Sequence, residues 1–158
     1  MNLQAAVNLA NEKIRQHLPN MGWTFQLDNS VKRFGQCRYR TKVISMSKHL
    51  ILLNDEAQVL DTILHEIAHS LAGNAAGHGY YWKMACIRIG ARPIRCYSTD
   101  TVTQPKMRYQ ATCGGCKKVF QKAKRPQVAR KVSCRCQGGI SWDKRHLLVY
   151  VDTAWNIR

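Results

Sequence analysis

Apolar positions follow two rhythms along this chain. Leu3, Val7, Ala10, Ile14 and Leu18 recur every three or four residues, the stripe of an amphipathic helix that Pro19 ends. Trp23 to Leu27 alternates as a strand does, and Asp28-Asn29-Ser30 reads as a turn. An extended region follows over Val31 to Met46, with Arg38, Arg40 and Lys42 on one side of the alternation and Tyr39, Thr41 and Val43 on the other. Such a strand either adds an extended peptide along its edge or presents a solvated charged face.

After Ser45 to Leu53 the helical spacing returns in Val59, Leu60, Ile63, Leu64, Ile67, Ala68 and Leu71. Asn54 is placed to cap this helix, Asp55 and Glu56 suit the positive end of its dipole, and Gly73 offers a stop. A further helix is predicted over about Tyr80 to Ile89, with Trp82, Ala85, Cys86 and Ile89 on its core face and Gly90 closing it. Between Pro93 and Pro105 no period survives. Beyond that only short extended stretches remain, at Val119-Phe120, Val128 to Val132 and Leu147 to Val151. The pattern predicts an α+β chain with a first domain over 1–92, a linker over 93–106 and a small β domain over 107–158.

A length of 158 residues suits one real core plus a small appendage. No apolar run is long enough to span a membrane, and no export signal is read at the N-terminus. Seven cysteines, four of them in close pairs, point to metal rather than disulfides in a reducing cytosol. The net charge of +16 is uneven: residues 1–90 carry 10 Lys and Arg against 6 acids, whereas residues 91–158 carry 15 against 3. That field favours a polyanion, above all nucleic acid, as partner.

Candidate chemistry starts at His65-Glu66-Ile67-Ala68-His69. Histidines four apart on a helix lie one turn apart on one side, so both can reach one Zn2+ about 2.0–2.1 Å away, and Glu66 between them can reach a water on it. A catalytic zinc usually takes a third protein ligand. No glutamate follows Glu66, and His78, between Gly77 and Gly79, can swing back over the helix, so His78 is the expected third ligand. Tyr80 and Tyr81 beside it are candidates to place a phenol near an oxyanion. Cys37, Cys86 and Cys96 read as ordinary thiols.

In the last segment Cys113-Gly114-Gly115-Cys116 has the spacing of a zinc knuckle, and Cys134-Arg135-Cys136 follows after 17 residues. Four cysteines on one structural zinc would make a zinc ribbon whose folding energy comes largely from the metal. The second pair is one residue tighter than usual, which leaves open His146 in place of one cysteine. Lys117, Lys118, Lys122, Lys124, Arg125, Arg130, Lys131 and Arg135 cluster here with Phe120, and Trp142 lies just beyond. Cations interleaved with aromatics suit phosphate contact and base stacking, without sequence specificity, unless the aromatics are spent on packing the ribbon.

These residues resemble the SprT-like family, which includes Spartan-type zinc metalloproteases. The resemblance is carried by Arg33-Phe34-Gly35-Gln36-Cys37-Arg38-Tyr39, the helix from Leu60 to Leu71, His78-Gly79 with Trp82, and the paired cysteines. It implies a zincin-like minidomain with an active-site helix followed by a zinc ribbon. It also implies His65, His69 and His78 as ligands of a catalytic zinc and Glu66 as catalytic acid/base in an endopeptidase acting on DNA-bound or DNA-crosslinked proteins. The stretch between His69 and His78 is shorter than in such relatives, and the sequence ends soon after the ribbon, so the partner-recruiting tails of Spartan are not expected. The expectation is a monomer with one catalytic and one structural zinc, cytoplasmic and nucleoid-associated, or nuclear in a eukaryote. The alternative is a non-enzymatic regulator that binds zinc and nucleic acid, distinguished by a fourth protein ligand on the first zinc.

Overall fold

A computed structural model of the chain describes residues 1–95, 102–124, 133–136 and 146–153. The chain divides into two compact units, Met1–Pro105 and Lys106–Arg158. Among the described residues it is a mixed α+β protein with four α-helices and two small sheets. No described helix is long and apolar enough to cross a membrane.

The first unit opens with α1 (Leu3–His17), capped by the Asn2 side chain, which accepts from the Ala5 amide at 2.7 Å. Its buried stripe, Ala6, Ala10 and Ile14, packs on β1 (Thr24–Asp28) and on the later helix α3 (Glu56–Ala72). The region that reads as one extended run is a hairpin of β2 (Gly35–Arg38) and β3 (Val43–Ser47). It turns at 39–42, where Lys42 takes φ +49 and donates its amide to the Tyr39 carbonyl at 3.3 Å. A left-handed lysine is uncommon, and no glycine there marks the reversal.

Strand order is β1-β3-β2, with β3 buried at every residue and β2 on the edge. The predicted turn is an Asx turn: Asp28 Oδ1 accepts from the Ser30 amide at 2.8 Å. Helix α2 (Lys48–Leu53) leads into α3, and Asn54 closes the former rather than capping the latter. Its side-chain amide donates to the Leu50 carbonyl at 2.7 Å, while Asp55 caps α3 by accepting from the Gln58 amide at 2.8 Å. Asn54 also holds the segment after Pro93, exchanging two hydrogen bonds with Thr103, and Val102 joins the core with Ile63, Ile67 and Trp82. Helix α4 (Tyr80–Ile89) ends at Gly90 in the left-handed conformation and packs along α3.

The second unit holds a sheet of β4 (Tyr109–Thr112), β5 (Val119–Lys122) and β6 (Val151–Asp152) in the order β5-β4-β6. Its core is small: Ala111, Cys113 and Leu148, with Phe120 and Tyr150 packed against them. The strand expected at Val128 to Val132 lies outside the described residues.

Candidate metal centres

Helix α3 puts His65 and His69 one turn apart, and the chain then reverses over them. Gly73 at φ +82 stops the helix, a 3-10 turn spans Asn74–Ala76, and Gly77 at φ +50 redirects the chain so that His78 returns. The His78 Nε2 lies 3.1 Å from the Nε2 of His69 and 3.3 Å from that of His65. Tetrahedral zinc with bonds of 2.0–2.1 Å separates its ligand nitrogens by about 3.3 Å. The three imidazoles therefore fit one such ion, and their nitrogens all lie within 4.8 Å of one another.

Burial first, and the charge of neighbouring imidazoles second, push His65 and His69 down to about 4. Their rings are thus neutral at neutral pH, the state a metal ligand requires. Trp82, fully buried, forms one wall of the group, with ring centroids 4.8, 5.4 and 4.6 Å from those of His65, His69 and His78. The sequence marks Trp82 as core, and it is, but it also packs the imidazoles.

Glu66, one residue on from His65, is turned by about 100° towards β2. It is buried against Gly35, where an added Cβ would fall 2.7 Å from both the Cγ and the Oε1 of Glu66. A glycine inside a strand often marks such a close approach, and here it admits the carboxyl group. Burial raises Glu66 to about 7, against the opposing pull of the Cys37 backbone N–H, which donates to it, and of Arg33.

A cleft of about 530 Å³ opens over these groups, and residues of β2 line it together with His78, Arg95 and Gln104. Tyr39, in the turn after β2, donates its hydroxyl to the His69 carbonyl at 3.2 Å and so ties the end of α3 to the hairpin. Tyr80 and Tyr81 do not line the cleft; they stand 71% and 72% exposed on α4 with their rings against each other. Cys37 lines the cleft and Cys86 is in the core, while Cys96 lies outside the described residues. The sequence gives no sign of Arg95 or Gln104, which reach the cleft from a segment without periodicity.

In the second unit a tight turn between β4 and β5 forms the knuckle: the Cys113 amide donates to the Lys118 carbonyl and the Lys117 amide to the Cys113 carbonyl, both at 3.0 Å. The four sulfurs of Cys113, Cys116, Cys134 and Cys136 lie within 4.8 Å of one another, so this group too could hold a metal ion. The Cys116 and Cys134 sulfurs are 3.7 Å apart, close to the edge of about 3.8 Å expected from zinc–sulfur bonds of 2.3 Å. The Lys118 N–H, helped by neighbouring thiols, outweighs desolvation and brings Cys116 down to about 7.

His146 is buried at the edge of this group, its Nδ1 3.2 Å from the Cys136 sulfur and 3.5 Å from that of Cys113. Gly115 makes room for the ring, since a Cβ there would fall 2.2 Å from its Cε1. Of the expected cations, Lys117, Lys118, Lys124 and Arg135 are exposed, and the half-buried Lys122 sits 4.6 Å over the Tyr150 ring. Arg125, Arg130, Lys131 and Trp142 lie outside the described residues. Phe120 is half-buried against the small core, which favours packing over stacking for that ring.

A family model described as the SprT-like family matches residues 3–106. No curated protein and no solved structure matches.

Proposed function

The chain belongs to the SprT-like family, and on that premise we propose that it is a zinc-dependent endopeptidase of zincin-like architecture acting on DNA-bound or DNA-crosslinked proteins. The observation that carries the reading is the convergence of three imidazole nitrogens beside a buried carboxyl group that packs against the edge strand β2.

His65, His69 and His78 would hold the zinc, which would supply Lewis acidity towards a water and a carbonyl. The chain's own groups do the rest. Just before β2 the Phe34 carbonyl accepts from the Ser47 amide of β3, so the alternation of the ladder leaves the backbone groups of Gly35 and the Cys37 carbonyl on the outer edge, while the Cys37 N–H there donates to Glu66. An extended substrate pairs there by edge addition, which lays its backbone across the imidazoles. Glu66 accepts the proton that the attacking water gives up and returns it to the amine nitrogen as the C–N bond breaks. Trp82 keeps the three rings in place, and Tyr39 fixes the turn that follows His69.

Gly35→Ala tests that placement. It should displace the Glu66 carboxyl by several tenths of an ångström and lower kcat/KM about 10- to 100-fold with zinc content unchanged. A variant with full activity would show that the close approach has no catalytic part.

The second unit provides the DNA contact in this reading. We assign its structural zinc to the four cysteines and give His146 Nδ1 the role of hydrogen-bond donor to the sulfurs of Cys113 and Cys136. Exposed Lys117, Lys118, Lys124 and Arg135 supply phosphate contacts, and DNA held there raises the local concentration of proteins on the same DNA. With about five phosphate contacts, log K for duplex DNA should fall against log salt with a slope of roughly −4 to −5. A flat slope would remove DNA from the account. The direct test is to incubate zinc-loaded protein with a DNA-bound protein, with and without the DNA. Cleavage that depends on DNA is the expected result, and zinc-loaded protein that never cleaves contradicts the proposal.

A further inference from the structure

We propose that the cleft selects peptides by their carboxylates, with Lys32 on the β2 side and Arg95 on the His78 side as the specificity-determining residues. The inference rests on the peptidase reading and names the substrate class for that site.

The lining of the cleft is unbalanced in charge. Among the described residues its cations are Lys32, Arg33 and Arg95, and its one acid is Glu66, buried and turned towards β2. Arg33 is already engaged, its guanidinium 3.0 Å from the Asp28 carboxylate. Lys32 and Arg95 are exposed and make no ion pair among the described residues. Lys32 lies three residues before the edge strand. Arg95 lines the same cleft as His78 and is close enough to it for the two to interact electrostatically. A divalent ion on the three imidazoles would add to the positive field. Among peptide groups, carboxylates gain most from such a site.

Geometry narrows the positions. A peptide added to β2 presents alternate side chains to the same side, so acids two residues apart should count and the intervening ones should not. A carboxylate can also come from the end of a chain, and the peptide set must separate the two sources.

The experiment uses zinc-loaded full chain with short fluorogenic peptides. Asp or Glu stands at alternate positions in one series and Asn or Gln in the other, each with a free and an amidated C-terminus. Affinities for the same peptides are measured on Glu66→Gln. Each well-placed acid should raise kcat/KM about 3- to 5-fold at low salt, and the advantage should shrink as salt is raised. Lys32→Glu and Arg95→Glu should reverse the acid-to-amide ratio. Should either variant fail to fold, the salt dependence of the native protein decides alone. A preference that vanishes on amidation identifies the chain terminus as the recognised carboxylate and supports the assignment. Acidic peptides bound preferentially but never cleaved also support it, and overturn the peptidase reading instead. Equal kcat/KM and equal affinity for the two series, or a preference indifferent to salt, would overturn the assignment.

Discussion

Glu66→Gln should lower peptide hydrolysis about 10²- to 10⁴-fold, the range that a positioned acid/base contributes, while zinc content stays unchanged. Glutamine keeps the shape that fits against Gly35 but can neither take a proton from water nor return one. In metal-free protein the same substitution should stabilise the fold at neutral pH. Burial raises the Glu66 carboxyl from 4.5 to about 7, so between those values the folded chain keeps a proton that the unfolded chain has released. Stability from this group therefore falls as pH rises from about 4.5 to 7, by up to about 3 kcal/mol, and glutamine removes the slope.

His65 and His69 act in the opposite sense. Lowered to about 4 from 6.5, they contribute stability that is present above 6.5 and lost as pH falls towards 4. Urea unfolding of chelated protein should thus show Glu66→Gln more stable than the native chain near pH 7.5 and level with it near pH 4.5. A variant that retains full turnover would refute the assigned proton transfer, and one with no stability gain at neutral pH would refute the burial argument.

His78→Ala should cost the first unit its metal. Removing a hydrogen bond to a ligand typically weakens binding 10- to 100-fold, so deleting one of three ligands should cost at least about 100-fold. The fold should survive, because His78 is only half-buried and stands outside the core that α3 and α4 share. Metal analysis of the variant should then find one zinc fewer per chain than in the native protein. Trp82, whose ring centroid is 4.6 Å from that of His78, offers a second readout: its fluorescence should respond to zinc in the native chain and not in the variant. Undiminished zinc in the variant would mean that another group completes the site.

Local features of the sequence reported the helices well. Helix α4 runs over Tyr80–Ile89 with Gly90 left-handed at its end, as apolar spacing and a terminal glycine require. The pairing of His65 with His69 follows from helix geometry alone, and the return of His78 was legible because glycines flank it. What the sequence hid is non-local or lacks a distinctive residue. The hairpin turn at 39–42 depends on Lys42 in a conformation that usually selects glycine or asparagine, so the alternation ran through it unbroken. The cap of α3 moved from Asn54 to Asp55 because a short helix, α2, ends at Asn54 and uses its side chain first.

The role of Gly35 depends on Glu66, a residue 31 positions away, and only the packing of β2 on α3 brings them together. Arg95 and Val102 lie in a segment bracketed by prolines, where no period announces which residues turn inward. Tyr80 and Tyr81 show the reverse error: adjacency to His78 suggested the cleft, but the start of a new helix turned both rings outward.

Anomalous diffraction at the zinc edge from crystals of zinc-loaded protein tests most directly whether one ion joins α3 to the His78 loop. The expected map has a peak about 2.0–2.1 Å from the Nε2 atoms of His65, His69 and His78, with the fourth position facing the cleft and free of any protein ligand. No peak among the three rings, or a peak whose fourth position is closed by another side chain, would contradict the account.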